Sequence, residues 1–169
     1  MKKIIMICIV LLTGLVSCSN YNIMTFFIGN GAMQYFVPPI EFSSENRDAF
    51  VDFTYRNTDI DNPDITCNFS VIFDESEQLS KFDKAGFIIS NTERIALDSL
   101  SIIFADHGAF KIRYSSKITK SGFIKLFSSE NVMFFVSNEK ETVFIPSSDF
   151  ETAKDKVAKS ILPATKKLQ

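Results

Sequence analysis

The stretch AFVDFTYR, residues 49 to 56, alternates between apolar and polar side chains. Its apolar members Val51, Phe53 and Tyr55 fall on one face of an extended chain, and the intervening polar residues fall on the other. A period of two is typical of a β-strand that buries one face in a core. The same alternation recurs in CNFSVIF (67–73) and AFKIRYS (109–115). These three stretches predict half-buried strands of an antiparallel sheet.

Further apolar stretches predict the remaining strands: QYFVPPIEF (34–42), GFIIS (86–90), LSIIFA (100–105), GFIKLFS (122–128), VMFFVS (132–137) and ETVFI (141–145). Three polar segments between them predict hairpin turns: Asp106-His107-Gly108, Ser129-Glu130-Asn131 and Asn138-Glu139-Lys140. Pro38-Pro39 restricts its stretch to a sheet edge or to a break between strands. About eight or nine strands at this spacing predict a mainly β fold. Since the proline break and the unequal loops suit two sheets, we expect an antiparallel β-sandwich, Ig-like or similar.

One amphipathic helix is predicted at the C-terminus, over about residues 148–162. Ser148-Asp149-Phe150-Glu151 is a capping-box pattern, with Ser148 as N-cap and Glu151 reaching back. Pro163 is expected to end the helix. The apolar stripe consists of Phe150, Ala153, Val157 and Ile161, joined by Ala158 and Leu162. We expect this stripe to pack on the sheet; the alternative is that it binds a membrane or a partner.

The composition, 46% hydrophobic and 22% charged residues, predicts a folded globular chain. The net charge of −2 conceals two segments of opposite sign. Residues 41–98 are strongly acidic, whereas residues 107–129 contain five basic side chains and no acidic one. The two segments either face each other or form separate patches, and neither is basic enough to indicate a nucleic-acid partner.

The N-terminus reads MKKIIMICIVLLTGLVSCS. Two lysines precede an apolar run from Ile4 to Leu12, which is too short for a permanent membrane-spanning helix of about 20 residues. Small residues close the segment. This layout predicts a secretory signal peptide over residues 1–17.

Leu15-Val16-Ser17-Cys18 resembles the lipobox of bacterial lipoproteins. The resemblance implies that Cys18 receives a diacylglyceryl group on its thiol and becomes the acylated N-terminus after cleavage. Such a protein is anchored in the lipid bilayer through its acyl chains. In the proteobacterial sorting scheme an aspartate after the cysteine indicates retention at the inner membrane. Ser19 stands there instead, so the outer membrane is the expected location in a cell with two membranes.

Residues 18–32 form the predicted lipid-anchored segment, and residues 33–169 form a single β-rich domain. YNIMTFFIGNGAM (21–33) is apolar, unlike a flexible tether, and has one turn signal at Gly29-Asn30-Gly31. It either lies on the membrane surface or enters the fold as a first strand. Both alternatives place the domain close to the bilayer.

Candidate chemical groups are few, and each has a structural interpretation. Asp106 and the single histidine, His107, could form a base and its orienting group, but Gly108 favours a turn. Cys67 could be a nucleophile, but its alternation places it on the apolar face, where a thiol is inert. It is the only cysteine beyond Cys8 and Cys18, so no disulfide is expected within the mature chain.

The loop NTDIDNPDIT (57–66) and the basic segment are candidates for ion binding. Asp59, Asp61 and Asp64 beside Asn57 and Asn62 would suit calcium, although Asp and Asn are also common in plain loops. The basic residues Lys111, Arg113, Lys117, Lys120 and Lys125 could contact anionic headgroups or a polyanion, or simply form a solvated strand face. We expect the plain loop and the solvated face.

The sequence predicts no cofactor, no metal site and no catalytic residue, because it has no phosphate loop, zinc-ligand spacing or Gly-x-Ser-x-Gly elbow. We therefore expect a lipid-anchored protein of the bacterial cell envelope that acts as a non-catalytic binding or structural module. Its expected partners are the lipid bilayer, through acylated Cys18, and an envelope protein or polymer. The alternative is an envelope hydrolase that uses Asp, Glu and Ser residues gathered by the fold.

Overall fold

The computed structural model describes residues 21–59, 61–73, 81–108 and 110–165. Within them the chain forms ten β-strands, two α-helices and a short 3-10 helix. The strands are β1 (Met24–Gly29), β2 (Ala32–Ser43), β3 (Asp48–Arg56), β4 (Asp64–Ile72), β5 (Lys84–Ile89), β6 (Glu93–Ala96), β7 (Asp98–Asp106), β8 (Lys111–Lys117), β9 (Val132–Ser137) and β10 (Glu141–Pro146). The helices are α1 (Lys120–Ser128), α2 (Asp149–Ser160) and the 3-10 helix Leu162–Thr165.

All ten strands belong to one antiparallel sheet, which curls into a half-barrel. The strand order is β6-β5-β9-β10-β2-β3-β4-β8-β7, and β1 pairs with the first part of β2. The prediction of a mainly β, antiparallel fold is confirmed. The sandwich and the Ig-like fold are not confirmed, since the described strands follow a continuous path instead of forming two facing sheets.

β2 is the central strand of this path, and it runs through Pro38-Pro39 without interruption. On one side it pairs with β3 over nearly its whole length, with a register shift at the prolines. On the other side β1 pairs with it only as far as Phe36, and β10 pairs with it only from Phe42 onward. The hydroxyl of Tyr21 donates to the Pro38 carbonyl oxygen in the gap, at 2.8 Å. The prediction of a sheet edge or a break between strands at Pro38-Pro39 is wrong: β2 is central and continues through both prolines, which are accommodated by the register shift.

Both helices pack on one face of the sheet, which we call the inner face. The Phe53 ring on β3 lies 5.6 Å from that of Phe123 and 5.3 Å from that of Phe127, both on α1. On α2, Phe150 lies 5.9 Å from Phe42 on β2 and 6.0 Å from Phe127. Aromatic pairs at these centroid distances contribute dispersion and quadrupole attraction beyond the area they bury. The helices thus occupy the space that a second sheet would fill in a sandwich.

The prediction of a strand over residues 122–128 is wrong, because they belong to α1. The Thr119 hydroxyl caps this helix by accepting a hydrogen bond from the Gly122 backbone N–H at 3.1 Å. Phe123 and Phe127, four residues apart, are buried together on the inner face. Short apolar runs fit a strand and a buried helix about equally well, so a run of seven residues did not distinguish the two.

The C-terminal helix is confirmed, with a shorter span than 148–162. Its predicted capping box is not found: the Ser148 side chain makes no capping hydrogen bond, and Ser147 Oγ instead accepts from the Asp149 backbone N–H at 3.3 Å. Ala158, predicted to join the apolar stripe, is exposed. The other core members of the stripe are all buried: Phe150, Ala153, Val157 and Ile161.

The connections and the strands β6 and β1 also test the predictions. The predicted turns at 106–108 and 138–140 are confirmed, whereas residues 129–131 lead from α1 into β9 instead of closing a hairpin. β6 was not predicted. Of the two interpretations of residues 21–33, the structure shows a strand that enters the fold, since β1 pairs with β2.

We predict that Val157→Asp destabilises the protein strongly. Val157 is fully buried, so the substitution places an unpaired charge between α2 and the sheet. The expected loss is at least about 3 kcal/mol of unfolding free energy, measured by denaturant or thermal unfolding of the purified protein. The matched control is Ala158→Asp, next in sequence but exposed, which should cost less than about 1 kcal/mol. Equal effects of the two substitutions would contradict the docking of α2.

Candidate functional site

A buried ion pair lies on the outer face of the sheet, opposite the helices. Asp52 on β3 is only 1% exposed, and Arg113 on β8 donates from Nη2 to its Oδ2 at 2.5 Å. Asn68 on the intervening β4 donates to Asp52 Oδ1 at 3.0 Å, and Arg113 Nη1 donates to Ser70 Oγ at 3.1 Å. Both carboxylate oxygens are therefore satisfied. A fully partnered carboxylate of this kind holds three strands together and is poorly placed to act as a catalytic base.

A second, more exposed cluster lies on the same strands. Lys117 on β8 and Arg56 on β3 both pair with Asp64 on β4, Arg56 at 2.9 Å. Hydrogen bonds from Lys117 and then Arg56 lower the pKa of Asp64 below its ordinary value. Since the folded-state pKa is the lower one, this pair stabilises the fold above about pH 4 and is lost as the pH falls.

These ion pairs show how the acidic segment 41–98 and the basic segment 107–129 lie relative to each other. Arg113, Lys117 and Lys125 each contact a carboxylate from the acidic segment 41–98, and the partner of Lys125 is Glu93. The two segments of opposite sign therefore face each other. Lys125 lies on α1 and not on a strand face, which corrects the prediction for that residue.

The nucleophile candidate Cys67 is completely buried on the inner face. Burial raises the pKa of its thiol well above the ordinary value, and the nearby charge of Asp52 raises it further. A thiol with a raised pKa carries little thiolate and reacts slowly. Asp106 is the exposed last residue of β7 and His107 lies in the turn that follows, where Asp106 Oδ1 accepts from the Gly108 backbone N–H at 3.0 Å.

The 57–66 loop shows ordinary loop chemistry at its described positions. Asp59 Oδ1 accepts a hydrogen bond from the Asp61 backbone N–H at 2.9 Å, and Asp64 belongs to the ion pairs on β4. Within the part of the chain that the structure describes, no three His, Cys, Asp or Glu side chains converge in a way that could hold a metal ion.

Two surface depressions in the described part of the chain are open and lined mainly by polar residues. One of them has a volume of about 500 Å³ and lies between the β2–β3 and β9–β10 connections, near Arg47 and Glu141. Arg94 binds Glu141 with two hydrogen bonds, at 2.7 and 2.9 Å, and lowers the pKa of that carboxyl group. A catalytic acid needs the opposite shift.

Two surfaces of the described part of the chain expose groups of large apolar side chains. The first, the apolar hairpin, comprises residues 24–36, that is β1, its turn and the first part of β2. On β1, Met24, Phe26, Phe27 and Ile28 are each 43% to 69% exposed. Exposed apolar side chains grouped in this way are typical of an interaction surface.

The second surface, the apolar edge strand, is β7 at one end of the sheet. Ile102, Ile103 and Phe104 are 41% to 52% exposed, and β8 is the only strand that pairs with β7 among the described residues. Two register shifts interrupt that pairing. Bulges of this kind are a common way to protect an edge strand from pairing with other chains. The sequence predicted a strand here but not its place in the sheet, because apolar content alone does not show that a strand lies at the edge.

Cys18, the predicted lipid attachment site, lies outside the described residues. Among the described residues, neither helix has the length and apolar character needed to cross a bilayer. The chain was compared with models of known protein families, with curated proteins and with solved structures, and none of the three comparisons gives a match. Function is therefore inferred from the surface chemistry and the N-terminal sequence.

We predict that Cys67 resists thiol reagents in the native protein. Complete burial blocks access and its raised pKa suppresses the thiolate, so labelling should require denaturant. The measurement is labelling with a maleimide followed by mass spectrometry, with and without denaturant. Ser101→Cys, at an exposed position on β7, provides a reactive thiol for comparison. Equally fast native labelling at both positions would restore Cys67 as a nucleophile candidate.

The buried ion pair generates a further prediction. Arg113→Met leaves the Asp52 carboxylate buried without its charged partner, which should cost about 2 to 4 kcal/mol of unfolding free energy. Adding Asp52→Asn should recover part of the loss, because the remaining group is neutral. Lys117→Met, which removes an exposed partner of Asp64, should cost less than about 1 kcal/mol. A double variant no more stable than Arg113→Met would show that the pair is not the cause.

Proposed function

We propose that this protein is a lipoprotein of the bacterial cell envelope, anchored through acylated Cys18, whose β-domain acts as a non-catalytic binding or structural module. Residues 1–17 serve as its signal peptide in this proposal. Ser19 after the cysteine favours the outer membrane in a cell with two membranes.

The observation that carries the proposal is the lipobox pattern Leu15-Val16-Ser17-Cys18, and the distance along the chain from its cysteine to the fold determines where the domain would lie. Tyr21 is already buried and bonded to the Pro38 carbonyl group. Only Ser19 and Asn20 separate it from Cys18. Three residue steps span at most about 11 Å. An acylated Cys18 would therefore hold the domain directly against the bilayer.

Three features support a binding or structural role over hydrolysis. The carboxyl groups of Asp64 and Glu141 have lowered pKa values, whereas an acid catalyst in a hydrolase needs a raised one. Asp52 is fully occupied by Arg113 and Asn68. The apolar hairpin and the apolar edge strand, in contrast, expose the kind of surface that binding proteins use.

The anchor is tested by replacing Cys18. Cys18→Ala should abolish the incorporation of a labelled fatty acid and should leave an uncleaved precursor, because the acyl acceptor is lost. Cys8→Ala is the matched control: it removes a thiol from the predicted signal peptide and should leave both processing and labelling unchanged. Fatty-acid labelling that persists in Cys18→Ala would refute the lipoprotein proposal.

A further inference from the structure

We propose that the apolar hairpin inserts into the interface of the bilayer to which Cys18 is attached. The inference rests on the proposed lipid anchor and adds a second, non-covalent membrane contact. It concerns residues 24–36, a part of the chain that the structure describes in full.

Both faces of the hairpin carry exposed apolar side chains. Pairing places Phe27 on the same face as Tyr35, which contacts Tyr55 on the inner side of the sheet. Met24 and Phe26 lie on the opposite face, with Phe36 beside Met24. A hairpin that packs on its own domain needs only one apolar face. Apolar side chains on both faces suit an environment that surrounds the hairpin, as a lipid interface does.

The hairpin also lies in a long segment without charge. No charged residue occurs between Cys18 and Glu41. A surface strand exposed to water ordinarily carries charges that keep it soluble and prevent aggregation. The apolar edge strand follows that rule, since Asp98 and Asp106 bound it at its two ends. The absence of charge in the hairpin removes the main energetic cost of entering a lipid environment.

Chain geometry brings the hairpin to the membrane. Met24, where β1 begins, is six residues after Cys18, so the two lie within about 20 Å of each other. β1 and β2 satisfy each other's backbone groups through their pairing, while the second edge of β1 has no strand partner among the described residues. Because free backbone groups are costly in hydrocarbon and tolerated near headgroups and water, we infer insertion at the interface and not across the core of the bilayer.

The experiment places a polarity-sensitive fluorophore on an introduced cysteine in the full acylated protein. Phe27→Cys reports on the hairpin, and Ile103→Cys, exposed to 52%, reports on the apolar edge strand as a matched control. The native thiols should not interfere, because Cys67 is buried and Cys18 is acylated. Each labelled protein is reconstituted into neutral phosphatidylcholine vesicles, with and without lipids that carry a quencher high on the acyl chain.

The expected result is a blue shift and strong quenching at position 27, with little change at position 103. Because the hairpin has no charge, replacing part of the lipid by an anionic one or adding salt should leave the signal unchanged. Absence of quenching at position 27 would overturn the proposal. Equal quenching at both positions would overturn it too, since the contact would not be specific to the hairpin.

Two double variants test whether the quenching depends on the side chains of the hairpin or on exposed apolar side chains in general. In the chain labelled at position 27, Phe26→Ser with Ile28→Ser should remove most of the quenching. Ile102→Ser with Phe104→Ser removes side chains of similar exposure from the apolar edge strand and should leave the quenching unchanged. All four side chains are at least 41% exposed, so folding should tolerate either pair.

Self-association and the loss of the anchor give distinct results in the same experiment. A blue shift that occurs without vesicles and grows with protein concentration would show that a second copy covers the hairpin, which contradicts the proposal. If Cys18 carries no acyl group, the proposed anchor is refuted. Insertion of the hairpin is then tested separately, by the same quenching comparison on a Cys18→Ser chain added to vesicles. Quenching confined to position 27 there would support insertion without a lipid anchor, and its absence would refute insertion.

Discussion

Two consecutive prolines in the middle of β2 have no backbone N–H groups to donate, so a continuous neighbouring strand cannot bond to β2 at that point. β1 and β10 divide this side of β2 between them, and Tyr21 donates to the Pro38 carbonyl oxygen in the gap. β10 pairs with β2 through only two residue pairs. These two pairs are the strand pairing that connects β6, β5, β9 and β10 to the rest of the sheet. The apolar hairpin lies on the far side of this gap from β10, and β1 has no strand beside it other than β2 among the described residues.

The curl of the sheet depends on what fills its inner face. The sequence has 18 phenylalanines and no tryptophan, and the rings from β2, β3, α1 and α2 form one connected cluster around Phe53 and Phe127. Phenylalanine has no polar group that needs a partner, so the rings can pack from both layers without a hydrogen-bond requirement. Tyr55 also packs in this aromatic core, but its buried hydroxyl group has no hydrogen-bond partner among the described residues.

The spacing of apolar residues along the chain correctly predicted those strands and that helix whose character depends on their own sequence. The alternation in β3, β4 and β8 identified strands and their inner faces, and the spacing of the stripe from Phe150 to Ile161 identified α2. The strand predicted over residues 122–128 failed because a seven-residue apolar run fits two periodicities; the Thr119 cap was the available signal. The Asp52–Arg113 pair could not be predicted, since its residues are 61 positions apart and meet only through the register of three strands. The exposure of β7 likewise depends on its place in the strand order.

A lipid anchor and an inserting hairpin would reinforce each other in this molecule. In the proposed arrangement, acyl chains on Cys18 would hold the chain at the membrane but would leave the domain free to rotate about its attachment. Once the anchor is in place, insertion of the hairpin becomes an intramolecular event at high effective concentration, so a weak apolar contact is sufficient. The second contact would then fix the orientation of the sheet relative to the bilayer. A flexible tether would oppose this arrangement by lowering the effective concentration, which gives a physical reason for the short segment between Cys18 and the buried Tyr21.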